Sequence, residues 1–325
     1  MSDALTYTSE QLKQLQKVEF EILEVISEIC DKHNITWWLE GGSALGAMRH
    51  QGFIPWDDDV DLGMLHEDYI RFLEIAPKEL PENMRLDNPV KNEHMACMFA
   101  KVVRTDTVFE TLETLDAGYD QGVFVDILPY GFAAADSDSY QRQKRELTHS
   151  VRKKYLYFSG HINVPHHGIV GTFERVGCKD LHVLVHAFSS PERIDTSFWK
   201  AALLREQGKA APEKGDGIIS YCYPEIPVPY EQIVPAKLAV FEGGYFPCRM
   251  MQMLICGVSS ETGVSNRQWR IVKRTNRSGR VAGGLTVTLL ALRTRRLRGS
   301  RRLDTVALSV AQKLCLGDSE RISFD

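Results

Sequence analysis

Apolar residues recur at Leu12, Leu15, Val18, Ile22, Ile26 and Ile29, steps of three and four that place them on one stripe of a helix. Thr8 and Gln11 occupy capping-box positions, so this helix is predicted from Thr8 to His33. A β-type run follows, Ile35-Thr36-Trp37-Trp38-Leu39, and Gly41-Gly42 breaks it ahead of a helix opening on Ser43 to Met48. From Asp59 to Leu62 acidic and apolar residues alternate. That period sends Asp59 and Asp61 to one face of a strand, with Val60 and Leu62 behind. Helical spacing returns through Tyr69, Ile70, Phe72 and Leu73, and Pro77 is expected to end that helix.

Further along, Met95 to Thr105 reads as a strand, with Thr107 to Glu113 as its hairpin partner. Gln121 to Pro129 is an apolar β run interrupted by one carboxylate, Asp126. Residues 136–160 and 179–206 are helix-compatible, with loops near 161–171 and 208–217. Lys237 to Phe246 has the pattern of a hairpin around Gly243-Gly244. Strands and helices interleaved in this way predict an α+β domain with a mixed sheet over residues 1–248.

Composition adds little until charge is considered. The 325 residues are 43% hydrophobic and 25% charged, as in globular proteins. The N-terminus is polar, so no signal peptide is expected, and no run reaches the roughly 18 apolar residues of a membrane span. The seven cysteines are scattered without a C-x-x-C pair, which argues for free thiols and a cytoplasmic location. His166-His167, in a loop flanked by Pro and Gly, reads as solvent-exposed rather than as a metal site. Charge is uneven. Residues 249–325 carry 13 Arg and 2 Lys against 3 Asp and 2 Glu, although the whole chain is −4. Two compositions meet at Cys248.

The candidate chemistry lies in residues 41–64, GGSALGAMRHQGFIPWDDDVDLGM. A strand that turns through glycines into a helix start offers free N–H groups at the positive end of a helix dipole, a setting suited to phosphate. Gly41, Gly42 and Ser43 are the cradle candidates, Ser43 either capping the helix or donating to phosphate. Asp59 and Asp61, on one strand face, repel unless a cation sits between them, and hard oxygen ligands suit Mg²⁺ or Mn²⁺. Asp126, costly in an apolar run unless paired or metal-bound, is the candidate third carboxylate. Lys101 and Arg104 are the nearest fixed positive charges, able to hold a phosphate or to line a solvated strand edge. Asp-rich turns are commonly solvated caps. Asp57, Asp59, Asp61 and Asp68 also fall at positions one, three, five and twelve of a Ca²⁺ loop, but Leu62 stands where that loop needs Gly.

Gly41-Gly42-Ser43, Leu45-Gly46-Ala47, Arg49-His50 and the run from Gly52 to Asp61 resemble the signature of the LicD family, bacterial phosphocholine transferases related to the fukutin group. The apolar-Asp-apolar-apolar-Pro segment around Asp126 and the 237–246 hairpin extend the resemblance. It implies a nucleotidyltransferase-type mixed sheet with flanking helices. It also implies a phosphorylated alcohol, phosphocholine being the best-known case, passed from a CDP-linked donor to a sugar hydroxyl of a cell-surface glycan precursor. On that reading Asp59, Asp61 and Asp126 hold the metal and do catalysis, Asp126 alternatively as general base. Gly41, Gly42, Ser43, Arg49 and Lys101 would bind donor phosphate. Nucleic acid is not an expected partner, and peripheral membrane association stays open. Plain nucleotidyl transfer and an inactive or Ca²⁺-binding scaffold are the rival functions. Trp37, Trp38, Trp56, Tyr119 and Tyr130 are candidates for an aromatic cage around a choline group, or core.

Past Cys248 the family ending is missing, and Arg-rich text without periodicity replaces it. Methionine has a single codon, so Met250-Met251-Gln252-Met253 constrains the underlying bases. One C inserted after Cys248 forces Asp then Ala, and the remaining codon freedom permits the family-like ending. Residues 249–325 are therefore expected to be a frameshifted, poorly ordered basic tail, the alternative being a genuine tail for anionic lipid or nucleic acid.

Overall fold

Thr8 sets the first helix: its hydroxyl accepts from the Gln11 N–H while the Gln11 side chain accepts from the Thr8 N–H. Helix α1 then runs Ser9–His33 and closes at Asn34 in the left-handed region. Leu15, Ile22, Ile26 and Ile29 from the predicted stripe are buried, with Leu12 and Val18 packed beside them. The computed structural model describes residues 8–91, 94–109, 121–158, 169–204 and 216–249.

Strand β1 (Trp37–Leu39) leads into helix α2 (Gly41–His50), strand β2 (Asp61–Leu65) and helix α3 (His66–Glu79). Strands β3 (Met84–Asp87), β4 (Ala100–Arg104) and β5 (Phe124–Phe132) follow, then helices α4 (Ser137–Phe158), α5 (Ile169–Phe188) and α6 (Pro191–Ala202). Strands β6 (Gly217–Ser220), β7 (Val228–Pro229), β8 (Lys237–Phe241) and β9 (Gly244–Cys248) complete the described elements. The sheet has the order β3-β4-β5-β2-β1-β9-β8, with β6 pairing to β5 and β7 to β6. It is mixed, because β2 with β5 and β1 with β9 run parallel and the other pairs antiparallel. The expected α+β architecture is thus present.

Alternation along the strands divides the apolar side chains between two cores. Leu39, Leu62, Val102, Val125 and Ile127 share one with α1 and α3, whereas Trp38, Leu128 and Tyr130 share the other with α4 and α6. Asp61 and Asp126 alternate with members of the first core and so project on the second face.

Several boundaries differ from expectation. Pro77 lies inside the last turn of α3 instead of ending it, since a proline so near the C-terminus interrupts one ladder bond and Leu80 N–H still reaches the Ala76 carbonyl. The alternation at Asp59 precedes the ladder, which starts at Asp61. Strand β4 takes β3 and β5 as partners; of the expected hairpin partner, residues 107–109 are described and form no strand, Val123 N–H donating to Thr107 Oγ1 and Phe109 N–H to the Gln121 carbonyl. The remainder of that segment, Tyr119, His166, His167 and residues 250–325 fall outside the described residues.

Candidate active site

The parallel pairing of β2 and β5 puts Asp61 directly opposite Asp126. Asp126 N–H donates to the Val60 carbonyl at 2.9 Å, which fixes the register at the very start of β2. From the other side of β5, Lys101 is the register partner of Asp126, and its Nζ lies 2.5 Å from Asp126 Oδ1. The ammonium also sits 3.4 Å from the centroid of the Phe124 ring, an orientation suited to cation–π attraction. Lys101 is therefore at the carboxylates.

Helix α2 approaches the same point from β1. Glu40 N–H donates to the Asp61 carbonyl at 2.9 Å, so the strand end and the glycine turn are tied to β2. Gly41 has φ +55°, and a Cβ there would stand 3.2 Å from Asp61 Oδ2. At Gly42 a Cβ would meet Asp57 Oδ2 at 2.6 Å. Glycine is needed here because carboxylates press on the turn. Ser43 neither caps the helix nor faces outward: it is buried, and its Oγ accepts from Asp61 N–H at 3.0 Å.

Asp59 closes the arrangement. Burial, then the charges of Asp59 and Asp126, push the Asp61 carboxyl well above the usual carboxylate range, with Lys101 opposing them. Carboxylate oxygens of Asp57, Asp58 and Asp59 lie within 4.8 Å of one another. Three of the expected phosphate-side residues, Gly41, Gly42 and Ser43, thus adjoin the acids. Arg49 does not: it is exposed, eight residues on from Gly41 and about 12 Å further along the helix axis. Arg104 is engaged elsewhere, bonding Glu21 and Asp106 at 2.7 Å each.

Two acids had been overlooked. Glu40, 8% exposed, accepts from Trp38 Nε1 and from Arg249, each at 2.7 Å. Its position between a strand end and Gly-Gly was the available signal. Glu19 lies on the buried stripe of α1, where a charged residue among Leu15, Ile22 and Ile26 is out of pattern. Of the aromatic-cage candidates Trp37, Trp38 and Tyr130 are core, and Trp56 is exposed. Asp68, the twelfth position of a Ca²⁺ loop, accepts from Thr36 N–H and pairs with Arg71, so it does not close such a loop.

The arrangement of acids at a strand pair beside a helix N-terminus can gather a divalent cation and a phosphate at one point. Residues 34–167 match the family described as LicD/FKTN/FKRP, nucleotidyltransferase domain. The lipopolysaccharide cholinephosphotransferase LicD of Haemophilus influenzae is 38% identical over 76 residues, 23% of this chain and 29% of that protein. The human ribitol 5-phosphate transferase FKRP is 48% identical over 48 residues, 15% of this chain and 10% of that protein. An uncharacterised protein of Rickettsia typhi is 48% identical over 59 residues, 18% of this chain and 19% of its own length. The chain spans less than a third of each of these relatives. The glycine turn, the acidic strand and Asp126 all fall within the matched residues, so this segment of the chain is similar to the LicD family's nucleotidyltransferase domain.

Proposed function

We propose that the protein is a Mg²⁺- or Mn²⁺-dependent phosphotransferase. It moves a phosphorylated alcohol of the phosphocholine kind from a CDP-linked donor to a sugar hydroxyl of a cell-surface glycan precursor. The observation that carries this reading is the register of Asp61 against Asp126, beside Gly41 and Gly42. Its donor set fits a hard divalent cation: burial, then the charges of Asp59 and Asp126, raise the proton affinity of Asp61, and a cation would offset both. The names of the two transferase relatives support the direction of transfer.

The chain's own residues supply the rest. Asp59, Asp61 and Asp126 would hold the cation, which when bound withdraws charge from the donor's pyrophosphate oxygens. N–H groups of Gly41, Gly42 and Ser43 lie in the first turn of α2, where no preceding helical carbonyl accepts them, and would orient a donor phosphate. Lys101 is placed to offset negative charge on the transferred group once the cation competes for Asp126. In the alternative arrangement Asp59 and Asp61 alone would hold the cation, and Asp126 would accept the proton of the attacking hydroxyl.

The test is product mass. The full chain is incubated with CDP-choline or CDP-ribitol, Mg²⁺ and a glycan acceptor. An acceptor heavier by the phosphorylated alcohol, with CMP released, is expected. An acceptor heavier by CMP would replace this reading with nucleotidyl transfer, and no product with any CDP-alcohol would overturn it.

A further inference from the structure

Helix α1 brings one more carboxylate toward the acids, from its own face of the sheet. Glu19 is 2% exposed, between Leu15 and Ile22 on the buried stripe. Its Oε2 is buried and has no hydrogen-bond partner among the described residues. One turn earlier, Gln16 Nε2 donates to the Asp57 carbonyl at 2.9 Å, so this part of α1 lies against the 57–59 loop. In that loop the carboxylates of Asp57, Asp58 and Asp59 already lie within 4.8 Å of one another. After burial, the strongest influences on Glu19 are the charges of Asp59, Asp58 and Asp57, which hold its carboxyl well above the usual range. Withdrawing a carboxylate from water toward three others is costly unless a cation compensates.

We propose that Glu19 and the Asp57-Asp58-Asp59 loop form a second divalent-cation site, with Asp59 shared between it and the Asp61–Asp126 pair. Asp59 is two residues from Asp61 in the sequence and its carboxylate lies within 4.8 Å of those of Asp57 and Asp58, so it adjoins both groups. Hard oxygens at this spacing suit Mg²⁺ or Mn²⁺. On this proposal Glu19 would supply the ligand from α1, and water or a phosphate oxygen would complete the coordination. The inference rests on the transferase reading only through the sharing of Asp59.

Mn²⁺ titration of the full chain, followed by the free-ion paramagnetic resonance signal, tests it in wild type, Glu19→Gln, Asp58→Asn and Asp61→Asn. Wild type is expected to bind two ions. Glu19→Gln and Asp58→Asn should each weaken one of them at least tenfold, while Asp61→Asn keeps that ion and weakens the other. In a chelator Glu19→Gln should unfold at or above the wild-type temperature, because an uncompensated buried charge is gone. With Mn²⁺ it should gain fewer degrees than wild type. Asp58→Asn reads the same site from the loop with the shape of the side chain kept. Equal stoichiometry and affinity in wild type, Glu19→Gln and Asp58→Asn overturns the proposal, whatever Asp61→Asn does. A Glu19-dependent ion in a wild-type protein that transfers nothing from any CDP-linked alcohol would overturn the transferase reading and leave this site standing.

Discussion

Two like charges and one opposing ammonium act on the buried Asp61, and the consequence is chemical before it is structural. Neutralising Asp61 or Asp126 by Asp→Asn keeps shape and removes a proposed cation ligand. Each variant should lose transfer by at least about 100-fold with its fold intact, read from initial rates and circular dichroism. His66 makes a separate prediction at this scale. Its Nδ1 is buried without a partner among the described residues, and burial holds its pKa below the ordinary imidazole value. The folded state therefore resists protonation, and the stability associated with neutral His66 is present above about pH 6.5 and lost as pH falls through the lower folded value. Urea midpoints of wild type and His66→Gln should accordingly draw together as pH is lowered from 8 to 5; a constant gap would refute the assignment.

At the scale of elements, α2 and α4 invite contrasting substitutions. Gly42→Ala pushes a Cβ toward Asp57 Oδ2, the free end of a side chain, so the carboxylate moves and the fold survives. Stability should fall by less than about 1 kcal/mol, whereas Mn²⁺ affinity falls by roughly tenfold, about 1.4 kcal/mol. In α4, Lys154 is 1% exposed and bonds Asp195 of α6 at 2.6 Å and the Pro89 carbonyl at 2.8 Å. Burial outweighs that ammonium and raises the Asp195 carboxyl, yet the pair leaves Lys154 no other anion among its recorded bonds. Asp195→Ala strands a buried charge and should destabilise by about 3–5 kcal/mol in urea unfolding, with Mn²⁺ binding unchanged. Much of this layout was legible. The Thr8 cap, the α1 stripe and the 237–246 hairpin are local patterns, set by neighbours within four residues. Partners of β4 were not, because β3 and β5 are chosen by long-range pairing that no local period encodes.

For the whole molecule, the parallel β2–β5 contact is the joint on which the proposed function depends. It brings together Asp61 and Asp126, 65 positions apart in the sequence, and only the type and spacing of the acids hinted at it. Arg49 illustrates the opposite outcome, since a motif neighbour was carried away from the acids by the length of one helix. Glu19 and Glu40 became visible as site-adjacent acids only once tertiary packing was known. Among the described residues no helix is long and apolar enough to cross a membrane. Because the acids repel in the folded state, cation binding should stabilise the whole protein. Mn²⁺ at 100 times its dissociation constant is expected to add about 2.7 kcal/mol per site, seen as a raised unfolding temperature that EDTA reverses.

The most direct measurement is an anomalous difference map from crystals of the full chain soaked in Mn²⁺. A peak bridged by the Asp61 and Asp126 carboxylates, next to Gly41 and Gly42, is predicted, with Lys101 Nζ displaced from Asp126 Oδ1. A map with no peak between these two aspartates, and with the Lys101–Asp126 ion pair unchanged, would contradict the assignment of this strand pair as a cation-dependent transferase centre.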